Sequence, residues 1–160
     1  MEKKIVFMSL ADLFGSKVAS TVADDLSLFF LDLDKFIEYN MFDPSALLER
    51  CGVEHYKKQE NRALIEAFDY EKTIYYSSFE LFSNNVRLFM ENKFIVVYIA
   101  LSRSQLENVE DKNLAINKIA FSDRDAFMRN AHLIIENEFA VMKSFALKAE
   151  KYLGFAKSGF

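Results

Sequence analysis

Two carboxylates give the first sign of chemistry in this chain. In Phe29-Phe30-Leu31-Asp32-Leu33-Asp34, Asp32 and Asp34 stand two residues apart at the end of an apolar run. While the backbone stays extended, side chains at that spacing point to the same side. The carboxyl ends of parallel strands are where open α/β sheets bind their ligands. A ligand site is one reading of the pair; the other makes Asp32 or Asp34 the cap of the next helix.

A second candidate is Gly15-Ser16-Lys17. A phosphate-cradling loop needs G-x-x-x-x-G-K-[ST]: glycines let backbone N–H groups wrap the phosphates, the Lys meets their charge, and the hydroxyl reaches Mg²⁺. Here the stretch reads Ser9-Leu10-Ala11-Asp12-Leu13-Phe14-Gly15-Ser16-Lys17-Val18. No glycine precedes Gly15, no hydroxyl follows Lys17, and Asp12 sets a negative charge where phosphates would lie. A helix N-terminus keeps some anion affinity, but the expectation is an ordinary strand-to-helix turn. His55 and His132 show no metal-ligand spacing. Cys51, just before Gly52 at an expected helix end, reads as a structural thiol. Tyr75 and Tyr76, ahead of Ser77-Ser78, read as core and strand end, with the edge of a polar cleft as the alternative.

The elements that must position these residues alternate along the chain. Lys4–Leu10, Leu28–Leu31, Thr73–Tyr76, Phe94–Leu101 and His132–Ile135 are near-continuous apolar runs, as expected of strands covered on both faces. Helical patterns fill the intervals at Lys17–Leu26, Leu33–Tyr39, Pro44–Arg50, Glu54–Phe68, Val86–Glu91 and Ala115–Ala131. A last helix follows, with Phe139, Met142, Ala146, Ala149 and Leu153 on one stripe, Asn137 at its start and Gly154 at its end. Such alternation predicts an α/β fold: a parallel sheet with helices on both faces, in one domain over 1–160.

Composition sets the outer limits. The 160 residues are 51% hydrophobic, with 17 Phe, four Gly and one Pro, which argues against disorder. A lone Cys allows no disulfide framework. A net charge of −4 leaves no electrostatic footprint for nucleic acid or an anionic membrane. The N-terminal Met1-Glu2-Lys3-Lys4 and Ile5–Leu10 imitate a signal sequence, but the apolar run stops at Asp12, so a first buried strand and a cytoplasmic location are expected.

Taken together, the segments resemble the shikimate kinases, small P-loop kinases of aromatic amino-acid biosynthesis. Ala23–Glu38 is similar to that family's helix, strand and Asp-x-Asp segment, and Ala46–Glu60 to its helix, Gly-Glu turn and Phe-Arg-x-x-Glu stretch. The resemblance implies a three-layer α/β/α fold with five parallel strands in order 2-3-1-4-5. It places Asp34, Lys57 and Arg124 at a substrate site, with Lys57 in place of an Arg and Glu60 matching the family's Glu. Arg124 requires a one-residue deletion; an ungapped match puts Asp123 there instead. Phe94–Leu101 resembles the strand before the lid.

The departures fall on the chemistry. An ungapped match places Ser9, Asp12 and Phe14 where the phosphate loop has glycines and Gly15 where it has the catalytic Lys; Ser16 alone keeps its hydroxyl. Ser77-Ser78-Phe79 replaces a Gly-Gly-Gly substrate loop, and the lid is short or absent, with no Arg-Pro pair. The leading expectation is a degenerate relative that binds no cofactor and acts through a protein partner, self-association or a weakly held small hydroxy acid. Nucleic acid and membrane are not expected partners. The alternative is an active small-molecule kinase using ATP and Mg²⁺, with Asp34 as general base, Asp32 holding Mg²⁺ through water beside Ser16, and Lys17 recruited from the helix. An unrelated α/β interaction module is a third possibility.

Overall fold

Apolar runs that do not alternate become strands of a sheet packed on both sides. The computed structural model describes residues 4–41, 44–100 and 118–136. Its strands are β1 (Lys4–Ser9), β2 (Phe29–Asp32), β3 (Thr73–Ser77), β4 (Phe94–Ile99) and β5 (Leu133–Ile135). Every pairing is parallel and the order is β2-β3-β1-β4-β5. The helices are α1 (Asp12–Asp25), α2 (Leu33–Asn40), α3 (Pro44–Phe68), α4 (Phe79–Asn84), α5 (Val86–Glu91) and α6 (Lys118–Met128).

The two faces of the sheet are packed differently. On one, Ile5, Phe7, Ile74 and Tyr76 meet Ala19, Val22 and Ala23 of α1, whose small side chains let the helix lie close. On the other, Phe68, Tyr75, Phe82, Phe89 and Phe94 form an aromatic cluster joined by Val6, Met8, Leu64 and Tyr98. Phe68 sits at its centre, with ring centroids of Phe94, Phe89 and Tyr75 at 4.6, 5.2 and 6.3 Å. Each such ring contributes about 1.5–3 kcal/mol by leaving water. The Tyr75 hydroxyl keeps its bonding by donating to the Ala67 carbonyl at 2.7 Å.

Local chemistry sets several boundaries. β1 ends where the Ser9 hydroxyl accepts from the Ala11 N–H, and α1 begins at Asp12, five residues before the expected Lys17. Phe79–Asn84 is a helix that apolar periodicity did not reveal; the Ser78 hydroxyl caps it by accepting from the Leu81 N–H. β2 starts at Phe29 rather than Leu28 and reaches Asp32. Cys51, expected to be structural, is exposed. The expected last helix after Asn137, the lid, Leu101 at the end of the fourth strand and the first residues of the helix from Ala115 all lie outside the described residues.

The helix end expected near Gly52 is present as a break inside α3, where Gly52 adopts φ 81° and ψ 170°. Nothing lies within 4 Å of the space its missing Cβ would fill. Gly52→Ala should therefore cost about 1–3 kcal/mol, because positive φ with ψ near 180° is a region that only glycine enters without strain. Urea denaturation should show a lower midpoint with an unchanged m value; an unchanged midpoint would count against the strained φ.

Candidate functional site

Parallel register brings the carboxyl ends of β1, β2 and β3 together, and the candidate polar residues gather there. Asp32 closes β2 and caps α2, accepting from the Lys35 N–H at 3.2 Å. Capping was one of the two readings of this residue. The Ser16 hydroxyl of α1 also donates to Asp32, at 3.4 Å. Asp34 lies in the first turn of α2 and accepts twice from one residue: the Ser78 N–H at 2.7 Å and the Ser78 hydroxyl at 2.6 Å. Burial pushes its carboxyl above the ordinary value of 3.8, aided by the charges of Asp32 and Asp12, while the Ser78 bonds pull the other way.

The β1–α1 junction is closed from an unexpected direction. Tyr76 of β3 is buried, and its hydroxyl donates to the Asp12 carboxylate at 2.8 Å. Its ring lies against Gly15 so closely that a methyl group there would come within 2.7 Å of the ring and 2.6 Å of Ser9 Cβ. The Gly15 N–H bonds to the Ala11 carbonyl at 2.8 Å, as in any first helical turn. Leu13, a neighbour of Gly15 in sequence, points outward with 82% exposure. Burial raises the Tyr76 phenol far above its usual range, and Asp12 adds to the rise, so this tyrosine stays a donor.

The remaining predicted residues divide. Arg124 reaches the site from α6: its guanidinium lies 4.9 Å above the Phe79 ring and 3.7 Å from the Glu80 carboxylate. Both partners directly follow Ser78, so Arg124 and Asp34 flank the same turn of α4. Asp123 is exposed. Lys57 and Lys17 are exposed on α3 and α1, and no hydrogen bond or ion pair among the described residues joins either to Asp34 or Arg124. Glu60 accepts from the buried Asn85 amide at 2.8 Å and is bonded to Tyr56, whose phenol is raised first by burial and then by Glu60. Glu80 is the member that sequence reasoning missed; Tyr76 was read as core or strand end and Ser78 as part of a replaced substrate loop, neither with its partner. Tyr76 lies 64 residues from Asp12 and Ser78 lies 44 from Asp34, and no local pattern reports contacts of that range.

Asp125 and Arg129 fix α6 against the sheet. The Tyr98 hydroxyl donates to Asp125 at 2.7 Å, and Arg129 bridges Asp125 and Glu136 at 2.9 and 2.7 Å. His132 accepts the Val96 N–H on Nδ1 at 3.0 Å, extending the β4 ladder with a side chain just before β5 begins. Among the described residues, no group of three or more His, Cys, Asp or Glu is arranged to hold a metal ion, and no helix is long and apolar enough to cross a membrane.

Comparison with known proteins places these features. A family model described as shikimate kinase matches residues 16–147, so Ser9–Gly15 fall before the matched span. Among solved structures, shikimate kinase from Aquifex aeolicus is similar over 93% of this chain and 97% of its own, with TM-score 0.70 and 20% identity. The shikimate kinase from Bacteroides thetaiotaomicron gives TM-score 0.69 and 16% identity over 96% of this chain and 99% of its own. That from Acinetobacter baumannii, in complex with shikimate, gives 0.64 and 19% over 98% and 96%. No curated protein matches in sequence. At these identities the structural likeness establishes the five-stranded P-loop kinase fold.

Proposed function

The chain belongs to the shikimate kinase family, and from that premise we propose that it keeps the architecture as a binding or regulatory protein of the cytoplasm, without nucleotide binding or phosphoryl transfer. The observation that carries this reading is the closed β1–α1 junction. Phosphoryl transfer depends on positioning and charge stabilisation around the phosphates. Here the Tyr76 ring packs directly on Gly15. Asp12 adds a carboxylate beside that ring. These residues do not fit a polyphosphate with Mg²⁺: there is no glycine cradle, and the nearby charge has the wrong sign.

MgATP at about 1 mM should give no heat of binding in calorimetry, and shikimate with MgATP should give no phosphoryl transfer. Micromolar nucleotide affinity or a burst of product would overturn the reading. The rival, an active kinase of a small hydroxy acid, draws support from one observation. Asp34 is half-buried with a raised proton affinity, as a general base requires. The same two assays decide between them.

The surviving role is recognition, and its chemistry is that of a small hydroxy acid. Asp34 offers a carboxylate for a hydroxyl, and Arg124 offers a cation for a carboxylate. Lys57 on the exposed side of α3 is a weaker contributor, since an ammonium does not grip a carboxylate in bidentate fashion. A protein partner or a second copy of the chain is the alternative ligand.

A further inference from the structure

The groups best suited to hold a small acid are already engaged by the chain itself. Asp34 is a partly buried carboxylate whose two oxygens both accept from Ser78, one from the N–H and one from the hydroxyl. The Arg124 guanidinium lies over the Phe79 ring, with one of its nitrogens 3.7 Å from the Glu80 carboxylate. One turn of α4 thus presents a hydroxyl to the carboxylate and a carboxylate to the cation. That is the pair of functional groups a hydroxy acid carries.

We propose that the first turn of α4 is a built-in occupant of the acid site, with Ser78 Oγ standing in for a ligand hydroxyl and the Glu80 carboxylate for a ligand carboxylate. The inference rests on the reading of Asp34 and Arg124 as ligand-binding groups. It adds that the site is self-filled and that a free acid must displace its own chain. The two contacts differ in strength. The Ser78 hydroxyl bond is short, charge-assisted and partly buried, so it is the firmer. The Glu80 contact, at 3.7 Å with a 76% exposed side chain, is screened and loose. A ligand entering from solvent therefore meets Arg124 first and completes its contacts only when the Ser78 hydroxyl swings away. When a site is open for a fraction of the time, its apparent affinity falls by that fraction.

The substitutions that open the site are mild. Ser78→Gly deletes the hydroxyl yet keeps the N–H that Asp34 accepts, and glycine at a helix cap costs only a few tenths of a kcal/mol relative to serine. Glu80→Gln removes the competing charge at an exposed position. Shikimate, as a probe cyclic hydroxy acid, should bind the double variant at least tenfold more tightly than the unaltered protein in titration calorimetry. Glu80→Gln alone should give about a threefold gain, which keeps the test decisive if the double variant folds poorly. Adding Arg124→Gln should abolish either gain. Equal affinity in the opened and unaltered proteins would overturn the self-filled site. If that shared binding is still lost in Asp34→Ala, the acid site itself survives; if neither protein binds shikimate, both the self-filled site and the acid-site reading fall.

Discussion

Gly15→Ala should destabilise the protein by about 2 kcal/mol, although the same change in an ordinary helix stabilises by about 1 kcal/mol. The sign is set by what surrounds the glycine. The added methyl would meet Ser9 Cβ at 2.6 Å and the Tyr76 ring at 2.7 Å. Neither neighbour yields cheaply: Ser9 Cβ is fixed to β1, and Tyr76 is buried and tied to Asp12. Overpacking of this kind costs about 1–3 kcal/mol and occasionally more. For a chain this size, a net loss of about 2 kcal/mol lowers Tm by roughly 4–8 °C. Tyr76→Leu removes the ring and should recover part of the loss, giving a coupling of about 1 kcal/mol in a double-mutant cycle. A Gly15→Ala variant as stable as the parent would mean that α1 and β3 are not packed this closely.

The second large effect is at Asp34, where pH separates two substitutions. Asp34→Ala leaves the Ser78 N–H and hydroxyl without their acceptor and should cost about 1–3 kcal/mol at neutral pH. Asp34→Asn retains an amide oxygen for the N–H and an amide donor for the hydroxyl, and it removes a charge that burial disfavours. The folded protein holds the Asp34 proton more tightly than the unfolded chain, whose value is near 3.8. Its contribution to stability is therefore fully present below that value and is lost as pH rises through the higher folded value. Relative to the parent, Asp34→Asn should be at its best at pH 7 and lose ground as pH falls toward 4. Thermal scans of both proteins across pH 4–7 measure the difference. A gap independent of pH would show that Asp34 ionises as freely in the fold as outside it.

The scaffold was readable because its signals are local and strong. Near-continuous apolar runs such as Ile5–Met8 and Phe94–Ile99 mark buried parallel strands, and the strand order followed from the family resemblance. The capping role open to Asp32 was legible for the same reason, since its N–H partner is three residues on. What escaped was set by tertiary contact. α1 starts at Asp12 because Ser9 and Ala11 supply its first bonds. Tyr76, read from the sequence as core or strand end, comes in from β3 to pack on that junction, while Leu13 is exposed. α4 is only six residues long, too short for a periodic stripe. The sequence marked Asp34 as one of two candidate carboxylates, but its engagement by Ser78 depends on how β3 lies beside β2.

The sheet order also governs the timing of synthesis. β1 is made first, yet both of its neighbours come late: Ile5 pairs with Ile74 and with Ile95. At a ribosome rate of about 5–20 residues per second, its first partner is polymerised roughly 3–14 s afterwards. During that interval Ile5–Met8 is an apolar segment with no strand to join, sheltered only by helices: α1 over the Ile5 and Phe7 face, α2 and α3 over the Val6 and Met8 face. Loop closure over such distances must come before the sheet rewards it. The nascent chain is therefore most prone to aggregate before β3 emerges, and slowing translation ahead of Thr73 would lengthen that exposure.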